Sequence, residues 1–383
     1  MNYLKTDCPE FTIHLDYPPD KRWNKVIDHF KEYIPKAIEI AEDLLGKHTV
    51  TLLQPILNLA TYSNGIMYKE ELLSISKQTN INPGLLLLMQ LVYEAFAACT
   101  SVIVKTEHYP IHIRTMDWDL SILRKLTFQA KFKFKNKTLF TGTTWAGYLG
   151  ILTGMRHPQS KKEEAYSISI NYRRTPESYT TPYAEYLRNI YRTLKGYWPV
   201  AYLVREVLSY ETTYYDAVDC FEKAHLISPT YITICGQLNI QGAIITRNRD
   251  PNEPTYIQHL HNSSNLIQTN MDHFHDGKYE KQKLESNTSN VSKQQKPHEI
   301  DIMYSRYRYS YVSLALTTSK TPTIDRLYKI MCMPPCYSTI LTIYTSIMIP
   351  SSKSYTTIIK RNPKIYKKAK DEFYKISQYA KRF

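Results

Sequence analysis

The stretch that decides the fold is "YEAFAACTSVIVKTEHYPIHIRTMDWDL", Tyr93 to Leu120, where an apolar helical pattern stops at Cys99 and apolar strand-like runs begin. Upstream, from about Lys21 to Leu45, Trp23, Val26, Ile27, Phe30, Ile34, Ala37, Ile38 and Leu45 recur at helical spacing, with Pro35 a predicted kink. Further apolar helical runs cover Leu52 to Ala60 and Leu85 to Ala98, so the first hundred residues read as all-helical. Downstream, "LTFQAKFKF" places Leu126, Phe128, Ala130, Phe132 and Phe134 alternately with polar residues, the pattern of a half-buried strand. "KNK" joins it to a second strand at Thr138 to Thr144. Strands are also predicted at Tyr166 to Asn171, Thr230 to Cys235, Ala243 to Arg247 and Leu341 to Met348, and helices at Tyr183 to Leu208 and Ala217 to Ala224. The order predicts an α+β layered fold with antiparallel sheets, the helical pattern running to about residue 98 and the strand pattern beginning at Cys99. A polar stretch at 276–299 reads as an insertion with no core of its own.

Composition bounds the partners. The chain has 383 residues, 43% of them apolar, and a formal net charge of +14. Half of that excess lies in Lys360 to Phe383, where nine Lys and Arg face Asp371 and Glu372. Ile365, Tyr366, Ala369, Phe373, Ile376 and Ala380 recur there at helical spacing, predicting a basic amphipathic helix, docked on its own domain or on an anionic membrane surface. No zinc-finger spacing or RNA-binding aromatic signature is present, so nucleic acid is unsupported as a partner. Neither a membrane-spanning run nor an export signal is visible. "DHFHD" (Asp272 to Asp276) and the pair His108 and His112 lack a third ligand at metal spacing, so no metal or cofactor is expected.

Six cysteines are too few for a disulfide scaffold, and Cys220 and Cys235, inside helical and strand patterns, read as small buried apolar groups. Cys99 differs from them in its surroundings. The run "CTSVIV…HIRTMDWD…LRKLTFQAKF…FTGTTWAGYLGILTGMR" resembles the acid ceramidase and N-acylethanolamine-hydrolysing acid amidase family of N-terminal nucleophile hydrolases. The family pattern there is C-T-S-I-V, then H-G-R-N-(L/M)-D, then a Gly-, Thr- and aromatic-rich run. "IHLDYPPDKRW", "IITRNRD", "QTNMDHF" and "LTIYTSIM" are similar to further segments of that family, so that the likeness spans roughly residues 11 to 350.

The resemblance implies a four-layer αββα sandwich of two antiparallel sheets, with a helical N-terminal subunit (1–98) and a catalytic one (99–383). It also implies self-cleavage between Ala98 and Cys99, which gives the cysteine a free α-amino group as its own base. Arg114 and Asp117 then flank that amino group, and Asn270 donates to the oxyanion. A guanidinium beside the sulfur favours thiolate and, with Asp117, sets the proton balance between sulfur and amine. The implied reaction is hydrolysis of fatty acyl amides, with N-acylethanolamines ahead of ceramide. Trp145, Tyr148 and Leu149 and the apolar helices are the expected walls of the acyl channel. The implied setting is lysosomal or secretory, which would make the sequons at Asn136, Asn262, Asn287 and Asn290 usable. The spacing of "CMPPC" allows a local disulfide between Cys332 and Cys336, and the resemblance implies, as the alternative, a link from one of the two to Cys8.

Three departures stand out. Tyr172, in "SINYRR", occupies the place of a glutamate associated with placing the site arginine and with self-cleavage. Thr115 replaces the motif asparagine, and the family's D-D-R-R segment is not recognisable, Lys281 and Lys283 lying at the corresponding distance. Tyr172 and the missing D-D-R-R segment favour, as an alternative, a catalytically weak or silent lipid-binding member; "LDYPPDKRW" and "AGYLGILTG", which resemble ceramidase, favour a true ceramidase.

Overall fold

The computed structural model describes residues 7–63, 65–91, 98–173, 182–273, 297–318 and 322–382. Strand β1 (Glu10–His14) opens the chain and is followed by five helices: α1 (Asn24–Phe30), α2 (Ile34–Leu45), α3 (Lys47–Thr61), α4 (Lys69–Thr79) and α5 (Pro83–Leu91). The predicted long first helix is thus two, with Pro35 in the first turn of α2, where its missing N–H costs nothing. The N-terminal region is also not all-helical, because β1 pairs parallel with a strand that follows Cys99. The likeness of "IHLDYPPDKRW" to a family N-terminal strand pointed to it, whereas its alternation is too short to stand out among the helical runs.

Strands β2 (Ala98–Lys105) and β3 (Pro110–Asp117) form a hairpin. After the one-turn helix α6 (Leu123–Leu126) come β4 (Thr127–Phe134), β5 (Lys137–Trp145), β6 (Thr153–Arg156) and β7 (Ser167–Tyr172). Helices α7 (Pro182–Leu194) and α8 (Val200–Tyr210) occupy the segment predicted as one helix. They are split by Gly196, at φ +78°, and by Pro199 capping α8. Helix α9 (Tyr214–Lys223) leads to β8 (Thr230–Cys235), β9 (Gly242–Arg247), β10 (Tyr256–His259) and β11 (Asn265–Gln268). The end of the chain holds α10 (Pro297–Thr317), α11 (Ile324–Met331), β12 (Thr342–Ile349), β13 (Ser354–Ile358) and α12 (Pro363–Ala380). Nearly all of the polar stretch 276–299 lies outside the described residues.

Two sheets result, one in the order β1-β4-β5-β6-β7-β8-β9-β10 and one in the order β11-β2-β3-β12-β13. Helices α8 and α9 cover the outer face of the first, and α10, α11 and α12 cover the second, giving the α+β layered sandwich. Because side chains alternate along a strand, the β2–β3 hairpin serves two layers. Cys99, Ser101, His112, Arg114 and Met116 face the other sheet, whereas Val102, Val104, Ile111 and Ile113 pack in the core under α10–α12. The same face of α12 that the spacing selected is buried: Ile365, Ala369, Phe373 and Ala380.

All six cysteines are thiols, so neither the local disulfide nor the implied link from Cys8 is present. The N-terminal segment is tied to the far end of the chain differently: Asp7 Oδ1 accepts from Ile359 N (2.8 Å) and Oδ2 from Lys360 N (3.1 Å).

Candidate active site

Cys99 is the second residue of β2, fully buried, and stands across the ladder from Met116, whose Sδ lies 3.4 Å from its Sγ. Two positions along, Ser101 faces Arg114, so the guanidinium reaches back along the same face. Arg114 Nη2 donates to Cys99 Sγ at 2.8 Å. The rest of its fork is held by Ile170 O (3.0 Å) and by the hydroxyls of Thr153 (2.5 Å) and Tyr344 (2.9 Å). A cation this firmly held, next to a sulfur and away from water, balances negative charge there.

Asn270 arrives by register. Gln268 of β11 pairs with Ser101, so two residues further on Asn270 is level with Cys99. Its Oδ1 accepts from Cys99 N at 2.9 Å and its Nδ2 donates to Tyr172 O at 2.9 Å. The amide orientation is dictated by its neighbours, since Cys99 N and Arg308 Nη2 (2.9 Å) are both donors and must face oxygen.

Asp117 lies on the other face of the hairpin, directly across from Ala98. The spacing of three between Arg114 and Asp117 therefore splits the pair, one residue to the sulfur side and one to the helical layer. Thr342 donates to Asp117 Oδ1 at 2.6 Å. Oδ2 has no hydrogen-bond partner among the described residues. Burial pushes the carboxyl up to about 6, against the pull of Arg308, the Thr342 hydroxyl and Arg114.

Arg308, on α10, is the residue that sequence reasoning missed. Fully buried, it donates through Nη1 to Cys99 O and to Thr100 Oγ1 (3.0 Å), and through Nη2 to Asn270 Oδ1. It supplies an arginine where no D-D-R-R segment is recognisable. The available signal was an arginine inside the tyrosine-rich run "YSRYRYSY". Tyr172 meets Asn270 through its main-chain oxygen, a contact that any residue there can make. Thr115 is buried on the Asp117 face, with no hydrogen-bond partner for its hydroxyl among the described residues.

A narrow apolar cavity, partly open to solvent, is lined by Trp145 and Tyr148 together with Trp118, by Ile34 and Ile38 of α2, and by Leu86 of α5. Leu149 does not line it; it is core, and its N–H is held by Gln90 Oε1 at 2.8 Å. Trp118 and Trp145 meet edge to face at 5.8 Å, and Trp145 lies 6.5 Å from the Tyr344 ring that touches Arg114. The cavity thus approaches the cysteine through a chain of aromatic rings. Among the described residues no cluster of His, Cys, Asp and Glu is arranged to hold a metal ion.

A family model described as linear amide C-N hydrolases, choloylglycine hydrolase family, matches residues 99–371 and so begins at Cys99. Another, described as the beta subunit of N-acylethanolamine-hydrolyzing acid amidase, matches residues 6–61. An uncharacterized protein of Acanthamoeba polyphaga mimivirus is 33% identical over 264 residues, which is 68% of this chain and 78% of that protein. The N-acylethanolamine-hydrolyzing acid amidase of Caenorhabditis elegans is 31% identical over 281 residues, 69% of this chain and 74% of that one. Acid ceramidase of Heterocephalus glaber is 25% identical over 382 residues, covering 93% and 87%. The solved structure of a C. elegans N-acylethanolamine-hydrolyzing acid amidase ortholog superposes with a TM-score of 0.52 at 25% identity, covering 68% of this chain and all of that one.

Proposed function

The chain belongs to the acid ceramidase and N-acylethanolamine-hydrolysing acid amidase family of linear amide hydrolases, and on that premise we propose that Cys99 is its nucleophile, unmasked by self-cleavage of the Ala98–Cys99 bond. The observation that carries this reading is the pairing of Arg114 Nη2 with Cys99 Sγ at 2.8 Å while Asn270 Oδ1 holds the N–H of the same residue.

In self-cleavage, sulfur attacks the Ala98 carbonyl carbon and the amide nitrogen of Cys99 leaves with a proton. Water then splits the thioester, giving an Ala98 carboxylate, a thiol and a free α-amine. Asp117, opposite Ala98 and protonated below about pH 6, is the acid for the departing nitrogen. Its unpartnered Oδ2 afterwards accepts from the new ammonium.

Turnover repeats the chemistry on substrate. The thiolate attacks the amide carbonyl, Asn270 Nδ2 donates to the oxyanion, the α-ammonium protonates the leaving amine, and water releases the acid from the acyl-enzyme. The apolar cavity suits a fatty acyl chain, and the substrates are fatty acyl amides, N-acylethanolamines ahead of ceramide. Arg308 beside Cys99, and the main-chain role of Tyr172, weigh against a silent lipid-binding protein.

The setting is lysosomal or secretory, where exposed Asn136 and Asn262 would accept glycans; Asn287 and Asn290 lie outside the described residues. Docking on an anionic membrane is supported by the exposed lysines of α12 and by exposed Leu52, Ile56 and Leu59 on α3. None of the described helices is long and apolar enough to cross a membrane.

The test is mass analysis of purified chain held at about pH 4.5 and about pH 7.5, followed by turnover of palmitoylethanolamide and of a ceramide. Fragments 1–98 and 99–383, faster in acid and absent in C99A, are expected. An intact wild-type chain whose Cys99 is inert to an acyl-directed thiol probe would move the reading to a lipid-binding relative.

A further inference from the structure

Between the two sheets lies a fully buried polar chain that the proposed chemistry does not use. Its members are His112 on β3, Ser167, Ser169 and Asn171 on β7, and Ser101 on β2, all with no exposed surface. His112 Nδ1 lies 2.9 Å from Ser167 Oγ and Nε2 2.8 Å from Ser169 Oγ. Ser169 Oγ is 2.7 Å from Ser101 Oγ, which is 2.7 Å from Asn171 Oδ1. Asn171 Nδ2 ends the chain on the carbonyls of Gln268 (2.9 Å) and Thr269 (3.0 Å), the two residues before Asn270.

Counting hydrogens fixes the direction of every bond. Asn171 spends both hydrogens of Nδ2 on carbonyls, so its Oδ1 only accepts. Ser101 therefore gives its single hydrogen to Asn171 and must accept from Ser169. Having donated, Ser169 must accept in turn, and the donor is His112 Nε2. His112 is thus the Nε2–H tautomer, with Nδ1 accepting from Ser167. Burial, and then Arg114, lower this imidazole to about 3, so it stays neutral and keeps that tautomer at working pH.

We propose that His112 is a positioning residue: through Ser169, Ser101 and Asn171 it orients the main chain on which Asn270 is carried to Cys99. This rests on the reading of Cys99 and Asn270 above. The chain is one-sided, because Ser167 gives its single hydrogen to the far nitrogen and otherwise lies beside Cys235 O (3.4 Å), away from the site. Ser167 and Ser169 are equally buried serines on one strand, hydrogen-bonded to one ring, but only Ser169 leads to Asn270. A merely structural network would not tell them apart.

The experiment is steady-state hydrolysis of palmitoylethanolamide by self-cleaved wild type, S167A, S169A, H112N and H112Q, with each rate divided by the number of Cys99 thiols labelled by an acyl-directed probe. Expected for S169A and H112N is a fall in kcat of roughly ten- to a hundred-fold with KM little changed, smaller than the loss of an oxyanion donor itself. S167A, though it also lowers thermal stability, stays within about two-fold of wild type. H112Q, whose amide reaches the Nε2 position, recovers most of the rate. Equal falls in S167A and S169A, or rates per labelled site unchanged in both, would overturn the proposal. Should the histidine variants not fold, the serine pair decides alone, each substitution removing a single oxygen. A wild type that fails to cleave itself or to hydrolyse the amide, or a C99A that does either, points to failure of the nucleophile reading itself.

Discussion

Two carboxylates in this molecule are each only 1% exposed, and their surroundings shift their titration in opposite directions. Glu71, on α4, accepts at Oε1 from Arg22 (2.7 Å) and Arg205 (2.8 Å), and at Oε2 from Trp23 (2.6 Å) and Arg205 (2.8 Å). Burial pushes its carboxyl up, but Arg205, with Trp23 and Arg22, outweighs burial and holds it below the usual range. Asp117 has one hydroxyl on one oxygen, and there burial wins, raising the carboxyl to about 6. The number and charge of the donors, rather than depth, decides which carboxyl keeps its proton. Glu71 joins two residues before the proposed cleavage point to Arg205 after it, and is arranged for permanence. Asp117, across from Ala98, is arranged to change.

The largest effect should come from breaking the permanent site. E71Q leaves the buried Arg205 without its full counter-charge, and the loss of a partner from such a pair costs about 3–5 kcal/mol. Urea unfolding of C99A and C99A/E71Q at neutral pH measures it, and a loss under about 1 kcal/mol would mean that the network fixes geometry without adding stability. After self-cleavage, the E71Q fragments should separate on gel filtration while those of wild type stay together. Because the Glu71 carboxyl is depressed on folding, its contribution is present above the unfolded value and is lost only as pH falls through the folded one. The clamp therefore survives mildly acidic conditions.

Asp117 carries the opposite sign. Its folded value lies above its unfolded one, so the native state binds the extra proton and stability falls as pH rises from about 4 to about 6. A shift of roughly two units corresponds to about 3 kcal/mol. Urea midpoints of uncleaved C99A across that window should decline, and those of C99A/D117N should not show this decline. A shared slope would assign the titration to another group.

Arg308 links the two behaviours, since it faces both the Cys99 carbonyl and the Asp117 carboxyl. R308M removes charge-assisted bonds to Cys99 O and Asn270 Oδ1, each worth about 1.5–3 kcal/mol. Self-cleavage should slow by roughly thirty-fold, the equivalent of about 2 kcal/mol. The Asp117 carboxyl should also rise further once that cation is gone, which the same urea series would report.

These contrasts also mark where sequence was legible. Cys99, Arg114 and Asp117 lie on one hairpin, so their spacing alone places them on adjacent strands, and period two assigns their faces. Asn270 was reachable because its segment matched a family pattern. Arg308 was not, because its contact to Cys99 spans 209 positions and its helix comes after a polar stretch that carries no register. Glu71 and Arg205 were hidden for the same reason, being 134 positions apart, Glu71 in a helix that the spacing did not predict and Arg205 in one whose patterning announced only an apolar face. The strands found by alternation agree with those observed to within a residue or two, whereas β10, β11 and β13 are too short to announce themselves. The helix α10 was missed because tyrosine and arginine recur along it where an apolar stripe would be expected.

The smallest effect on stability, and the sharpest contrast with Glu71, belongs to the outward charges of α12. Lys367, Lys368 and Lys370 are exposed, and the face that docks the helix is apolar. Replacing the three by Gln removes no buried partner, so the urea midpoint should move by no more than about 0.5 kcal/mol. Binding to vesicles with anionic headgroups is a different quantity, to which each lysine near the surface contributes about 1 kcal/mol. Sedimentation with anionic vesicles should then drop by about two orders of magnitude for the triple variant, and high salt should produce the same loss in wild type. Unchanged binding would assign the charge of α12 to solvation alone and leave exposed Leu52, Ile56 and Leu59 of α3 as the surface to alter next.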